Sequence, residues 1–241
     1  MTVDILYVAY NRLAFTEPSF QALIDNTDWS LVRTLHIHDD GSRDGAARYL
    51  QDALDAIPDA VDVRYESMRL GGPVAATNRH LDLLSTTAEQ DDVGAFVKLD
   101  NDVVVSPGWL NELTRVATLN PGIDFLGIQP RFGPPVMGHC DERRVEEARH
   151  IGGVGLMRYR AFEVCRPTPN GRYGFTEFQC RHPENRKGWI TPDLPCFCLD
   201  LIDLEPYATH AVSHIAKGWA RPWSKYVDGG RSYYQWWAPV E

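Results

Sequence analysis

The chain has 241 residues, of which 44% are hydrophobic and 24% charged, and its net charge is −9. That balance belongs to a soluble globular protein and excludes a disordered, collagen-like or coiled-coil chain. No apolar run reaches the roughly 20 residues of a membrane span, and the start Met1-Thr2-Val3-Asp4 lacks the basic region of a signal peptide. The acidic balance gives no whole-molecule attraction to nucleic acid. The cysteines number five and include no CxxC pair, which points to a reducing cytoplasm rather than a disulfide framework or a structural zinc site.

Val3 to Ala9 is a continuous apolar run, the pattern of a strand buried on both faces of a parallel sheet. Phe15 to Asn26 reads as a helix and Leu31 to His38 as the next strand. Asp39-Asp40-Gly41-Ser42-Arg43-Asp44-Gly45 is turn chemistry that opens a helix, and Ala46, Leu50, Ala53, Leu54 and Ile57 recur at helical spacing. Val61 to Tyr65 is a third strand, Pro73 to Leu84 a helix, and Gly94 to Leu99 a fourth strand halted by Asp100-Asn101-Asp102. A helix carrying Leu110, Leu113, Val116 and Ala117 follows. The first 120 residues thus predict an α/β fold, a doubly wound and mostly parallel sheet. Beyond them we expect a strand over 123–129, a loop over 130–150, a glycine-rich strand from Gly152 to Met157, and an irregular C-terminal third wrapped over the sheet rim. One domain is expected over residues 1–241.

Ligands of such sheets bind beyond the carboxyl ends of the strands. Those ends carry Tyr10-Asn11-Arg12, Asp39-Asp40 and Asp100-Asn101-Asp102. Alternate residues of an extended segment point the same way, so Asp100 and Asp102 can approach one hard cation, and all-oxygen ligation suits Mg²⁺ or Mn²⁺. Asp39 and Asp40 either cap the next helix or accept from a ligand. Gly71-Gly72 ahead of a helix either brings backbone N–H groups to a phosphate or makes a tight turn.

Taken together, Tyr10-Asn11-Arg12, Asp39-Asp40-Gly41-Ser42-x-Asp44-Gly45, Ala75-Ala76-Thr77-Asn78, Asp100-Asn101-Asp102, Pro107 and Trp109-Leu110 resemble the family 2 glycosyltransferases of the GT-A fold. The resemblance covers residues 3–120 well and runs more loosely to about 200. It implies a metal-dependent transfer of a sugar from a nucleotide sugar, UDP-linked, with inversion. Residues 1–120 would then be the nucleotide-sugar half and 121–241 the acceptor half. Tyr10 would lie on the base, Asp40 or Asp39 would accept from the base imide, Asp100 would lie near ribose and metal, and Asp102 would bind the metal. Ala9 stands where the family has Thr, leaving only backbone for the base. Thr77 stands where the family has Arg before Asn78, with Arg79 displaced by two. Gly72, Asn78, Lys98, Arg12, Arg79 and Asn101 complete the expected donor contacts.

Gly152-Gly153-Val154-Gly155-Leu156-Met157 resembles the family's acceptor-side strand, with Gly153 at the acceptor. Tyr173-Gly174-Phe175-Thr176-Glu177-Phe178-Gln179-x-Arg181 resembles a worn form of the segment that carries the catalytic base. Glu177 is the expected base and Asp193 the reserve. The family's later metal-site His is missing, and Asp200 could substitute. Trp189, Trp219 and Trp223 are candidate acceptor platforms, although an aromatic tail over 217–237 also packs readily on a sheet rim. The acceptor is a saccharide or a small hydroxylated molecule. A hydroxymethylated DNA base is the less favoured alternative, given the negative charge. Two further readings stay open: a non-catalytic nucleotide-sugar-binding module, and a nucleotidyltransferase, although Ala9-Tyr10-Asn11-Arg12 is no phosphate loop.

Overall fold

The structure, a computed structural model, describes residues 1–90, 92–128, 144–163, 165–168, 174–191 and 196–198. Asp193, Asp200, Trp219 and Trp223 lie outside the described residues. The first half alternates β1 (Val3–Ala9), α1 (Leu13–Asn26), β2 (Val32–Asp39), α2 (Ala46–Asp52), β3 (Asp62–Ser67), α3 (Pro73–Gln90) and β4 (Ala95–Asp100). Then come β5 (Val103–Val105), α4 (Trp109–Leu119), β6 (Phe125–Gly127), β7 (Arg144–Ala148), β8 (Gly155–Arg158), α5 (Gly174–Arg181), β9 (Lys187–Thr191) and β10 (Cys196–Cys198). Among the described residues no helix is long and apolar enough to cross a membrane.

Eight strands form one sheet in the order β3-β2-β1-β4-β8-β6-β9-β7, and β10 pairs with β5 apart from it. The pairs β3/β2, β2/β1, β1/β4 and β6/β9 are parallel. The pairs β4/β8, β8/β6 and β9/β7 are antiparallel, so the sheet is mixed but mostly parallel. The chain winds outward from β1 through β2 to β3, then returns to place β4 on the other side of β1. The switch point lies between β1 and β4, where open α/β sheets bind their ligands.

Side chains alternate between the two faces of each strand. Val3, Ile5, Tyr7 and Ala9 of β1 join Leu35, Ile37, Ala95, Val97 and Leu99 on a face packed against Phe20 and Leu23 of α1, Leu50 of α2, and Leu110 and Leu113 of α4. Leu6, Val8 and Phe96 face the other way, onto Val74, Ala76 and Leu81 of α3 and Phe175 and Phe178 of α5. This second face also carries polar residues in register across the strands. His36 lies beside Leu6 and Arg64, and His38 beside Val8 and Glu66. Leu6 and Val8 in turn adjoin Lys98 and Asp100.

Several boundaries differ from the sequence reading. Residues 144–148 of the expected 130–150 loop form edge strand β7, whose polar RVEEA sequence carries no apolar alternation. The expected strand over 123–129 is only Phe125–Gly127. The helix expected through Ile57 stops at Asp52 and continues as a 3-10 turn, Ala53–Ala56. Helix α3 runs on to Gln90. Within the C-terminal third the described residues form α5, β9 and β10, and residues 199–241 lie outside the described residues.

Candidate active site

The loops after β1 and β2 are built as one unit. Asn11 and Arg12 both take left-handed backbone conformations, with φ of 51° and 62°. Such a pair is sterically costly for residues with a Cβ and needs support from its surroundings. That support comes from the β2 loop. Asn11 N donates to Ser42 Oγ at 2.7 Å, Arg43 N donates to Asn11 Oδ1 at 2.8 Å, and Leu13 N donates to Asp44 Oδ2 at 2.8 Å. Asp44 Oδ1 also accepts from Ala46 N at 3.1 Å, at the start of α2. Asn101 joins from β4, donating through Nδ2 to Asn11 O and Thr16 Oγ1, both at 2.8 Å. Ser42, Asp44, Asn11 and Asn101 therefore clamp three strand ends together.

The two aspartates ending β2 have different tasks. Asp39 is fully buried and accepts from Ser42 N, Ser42 Oγ and, at 2.7 Å, Ser67 Oγ. Asp40 N donates to Ala9 O at 2.8 Å. Its Oδ1 accepts from Leu70 N at 2.5 Å and Gly71 N at 2.9 Å, which ties β2 to the entry of α3. Gly71 and Gly72 have φ of 99° and 111°, a conformation that explains the glycine pair by itself. Tyr10, 48% exposed, presents its ring at this rim.

At the switch point, four charges meet. Lys98 is fully buried on β4, pairs through Nζ with Asp100, and lies 5.5 Å from the centre of the Phe175 ring. Arg12 reaches across from the β1 loop to Asp102, Nη1 to Oδ2 at 3.2 Å. Burial and the nearby charge of Asp100 raise the Asp102 pKa above the usual carboxylate range, against the pull of Arg12 and Lys98. Asp100 and Asp102 thus offer two hard oxygen ligands whose repulsion a divalent cation would relieve. This donor set fits Mg²⁺ or Mn²⁺, with Arg12 and Lys98 as the groups that would have to yield or share.

The remaining expected residues are placed as follows. Arg79 holds Glu66 with two bonds, of 3.1 and 2.7 Å. Asn78 Nδ2 donates to Pro167 O at 2.9 Å. Gly153 lies under Phe175, whose ring comes within 3.2 Å of where a Cβ would stand. The Trp189 indole covers Gly127 of the neighbouring strand, where a Cβ would come within 2.4 Å of the ring. Glu177 pairs with Arg181 and borders a cavity of about 270 Å³ together with Arg166 and His182. Phe178, which stands where the family has a second acid, is buried.

Sequence reasoning missed Phe175, which caps Lys98 and Gly153 together. It also missed the polar cluster of His36, His38, Glu66 and His80. The spacing of His36 and His38 on one strand was the available signal, since residues two apart share a face.

The model of the family described as glycosyl transferase family 2 matches residues 4–136, more than half of the chain. The chain belongs to glycosyl transferase family 2. The match takes in β1 through β6 and thus the whole switch point. Similar solved structures include S. aureus TarS. TarS 1-349 in complex with UDP-GlcNAc has a TM-score of 0.59 at 13% identity, over 80% of this chain and 57% of that one. TarS 1-349 in complex with UDP gives 0.60 at 12% identity, over 95% and 74%. A further TarS structure gives 0.58 at 11%, over 95% of this chain and 44% of that one. At this identity the likeness is one of fold, and the family 2 chain spans between about half and three quarters of the TarS chains. No curated protein matches it in sequence.

Proposed function

We propose that the chain moves a sugar from a UDP-linked donor to an acceptor hydroxyl, by direct displacement with inversion at C1. The observation that carries this reading is the switch point itself: Tyr10, Asp40, Asp100 and Asp102 on one rim, cross-linked by Arg12, in a family 2 chain. The TarS structures hold UDP-GlcNAc and UDP, which supports a uridine donor. In this reading Tyr10 lies against the base and Asp40 or, second, Asp39 accepts from its imide N–H. Arg12, Lys98 and the start of α3 at Gly72 face the diphosphate. When bound, Mn²⁺ or Mg²⁺ on Asp100 and Asp102 neutralises the leaving diphosphate.

The acceptor oxygen bonds to C1 as the bond from C1 to the phosphate oxygen breaks. The electron pair leaves with UDP, and the acceptor proton passes to a carboxylate. Glu177 is our assignment for that carboxylate on the likeness of its segment to the family's base-bearing one; Phe175 of the same helix lies on Lys98, while Glu177, two residues on, pairs with Arg181. The exposed side of this rim takes a saccharide or a small hydroxylated acceptor. A second reading, a nucleotide-sugar-binding module without turnover, is favoured by the buried Phe178 and by the pairing of Glu177 with Arg181.

Calorimetry and UDP-release assays on the full chain with a panel of UDP-sugars and Mn²⁺ test both. Binding with UDP release, slow to water and faster with added saccharides, supports transfer. Binding with no release under any condition supports the module. Failure to bind any UDP-sugar overturns both.

A further inference from the structure

A second cluster lies on the same sheet face, two strands away from Asp100. His36 and His38 on β2 and Glu66 on β3 each bring one ligand-type atom, all within 4.8 Å of one another. Both histidines are fully buried. Neither ring nitrogen of His38 makes a hydrogen bond among the described residues, and its Nε2 stands 3.7 Å from Asp40 Oδ1. His36 Nε2 faces Glu66 Oε2 at 3.4 Å without hydrogen-bond geometry.

A chain of hydrogen bonds fixes the proton on His36. Asp4 accepts from Arg33 at 2.9 and 2.6 Å, and an ionised carboxylate can only accept. Tyr159 OH therefore donates to Asp4 Oδ2, at 2.5 Å. The tyrosine oxygen must then accept from His80 Nε2, 3.0 Å away. Neutral His80 is left with Nδ1 as acceptor, so His36 Nδ1–H donates to it across 3.3 Å. With the proton on Nδ1, the neutral imidazole carries its lone pair on Nε2, which faces a carboxylate oxygen of Glu66 and makes no hydrogen bond among the described residues. Two lone pairs face each other, an arrangement that calls for a cation between them.

We propose that His36, His38 and Glu66 form a binding site for a zinc-type transition metal ion, distinct from the all-oxygen pair Asp100 and Asp102. Two imidazoles with one carboxylate favour Zn²⁺ or Co²⁺ over Mg²⁺. Tetrahedral zinc, with bonds of about 2.0–2.1 Å, spaces its ligand atoms about 3.4 Å apart. The His36–Glu66 pair already has that spacing, so His38 is the ligand that must close in. Glu66 Oε1 can keep Arg79 Nη2, at 2.7 Å, while Oε2 takes the metal. Arg79 and His80 then orient the ligands from outside, as the partners of metal-bound imidazoles and carboxylates do, and Tyr159 in turn holds His80. The site ties β2 to β3 directly beneath Asp40, and it stands whether or not the chain transfers sugars.

The test uses the metal-stripped full chain carrying Asp102→Asn, which removes a ligand of the other pair. Co²⁺ is titrated in and followed by visible absorption, with circular dichroism as the check of folding. We expect strong absorption of a four- or five-coordinate ion, saturating at one equivalent and abolished by Zn²⁺. Adding Glu66→Gln should remove it. Tyr159→Phe, which breaks the relay, should weaken Co²⁺ binding about 10–100-fold. Weak absorption of the six-coordinate type in the parent, or equal affinity in the parent and Glu66→Gln, overturns the site. Should Glu66→Gln fail to fold, an unchanged affinity in His38→Gln overturns it equally, since neither ring nitrogen of His38 makes a hydrogen bond among the described residues.

Discussion

Arg12 and Asp102 are 90 positions apart in sequence, yet Nη1 of one lies 3.2 Å from Oδ2 of the other. That pair closes the switch point between β1 and β4, and it sets the first prediction. Asp102 is buried beside a second carboxylate, so it should take a divalent cation in exchange for Arg12 when a diphosphate arrives. Calorimetry with UDP should give at least tenfold tighter binding in Mn²⁺ than in EDTA. Asp102→Asn should bind UDP weakly in both, with its melting temperature close to that of the parent. Equal affinity with Mn²⁺ and EDTA in the parent would refute the metal role.

The base end of the rim makes a separate prediction. Asp40 Oδ1 already holds Leu70 N and Gly71 N, and Asp40→Asn can keep both through its own carbonyl oxygen. The fold should therefore survive, while UDP affinity falls several-fold with the loss of the charged acceptor. Tyr10→Ala removes an exposed ring and should weaken UDP without lowering the melting temperature. An Asp40→Asn chain that binds UDP like the parent would reduce Asp40 to a tie between β2 and α3.

Ser42 belongs to the most distinctive motif of the sequence, yet its contacts are internal. Ser42→Ala removes the acceptor of Asn11 N and a donor to Asp39. Unmade bonds of this kind cost about 1–3 kcal/mol. For a chain of this size that is a fall of roughly 2–12 °C in melting temperature, readable by calorimetric scanning. A change below 1 °C would count against the clamp.

Glu177→Gln keeps size and hydrogen bonding but cannot take the acceptor proton. Once an acceptor is in hand, transfer should drop about 10²–10⁴-fold with donor affinity unchanged. A rate within about threefold of the parent would move the base elsewhere, and Asp193→Asn would be the next variant to assay.

Strands β1 and β4 were legible because both their faces are buried, which leaves unbroken apolar runs. Strand β7 was not, because an edge strand half open to water needs no such run. The motif residues were legible as a set, but not their division of labour. Asp39 and Asp40 differ by one position and so point to opposite sides of the chain: one into its own loop, the other toward α3. Only the packed loops decide that. The histidine cluster was half legible. His36 and His38 share a face by spacing alone, whereas Glu66 and His80 reach them through the pairing of β3 and the docking of α3, which are tertiary events.

Strand β4 is flanked by β1 on one side and by β8 on the other, and β8 arrives only at residues 155–158. During synthesis the first 105 residues contain every strand of the switch point, yet one edge of β4 has no neighbour until about 50 residues later. That edge reads Ala95-Phe96-Val97-Lys98-Leu99, a largely apolar template for pairing with another chain. A fragment that ends before β8 should thus be sticky, because it leaves that edge of β4 open. Gly155, at φ 140° and with Leu126 O 2.3 Å from where a Cβ would stand, marks the place where the late strand slots in and leaves no room for any larger residue.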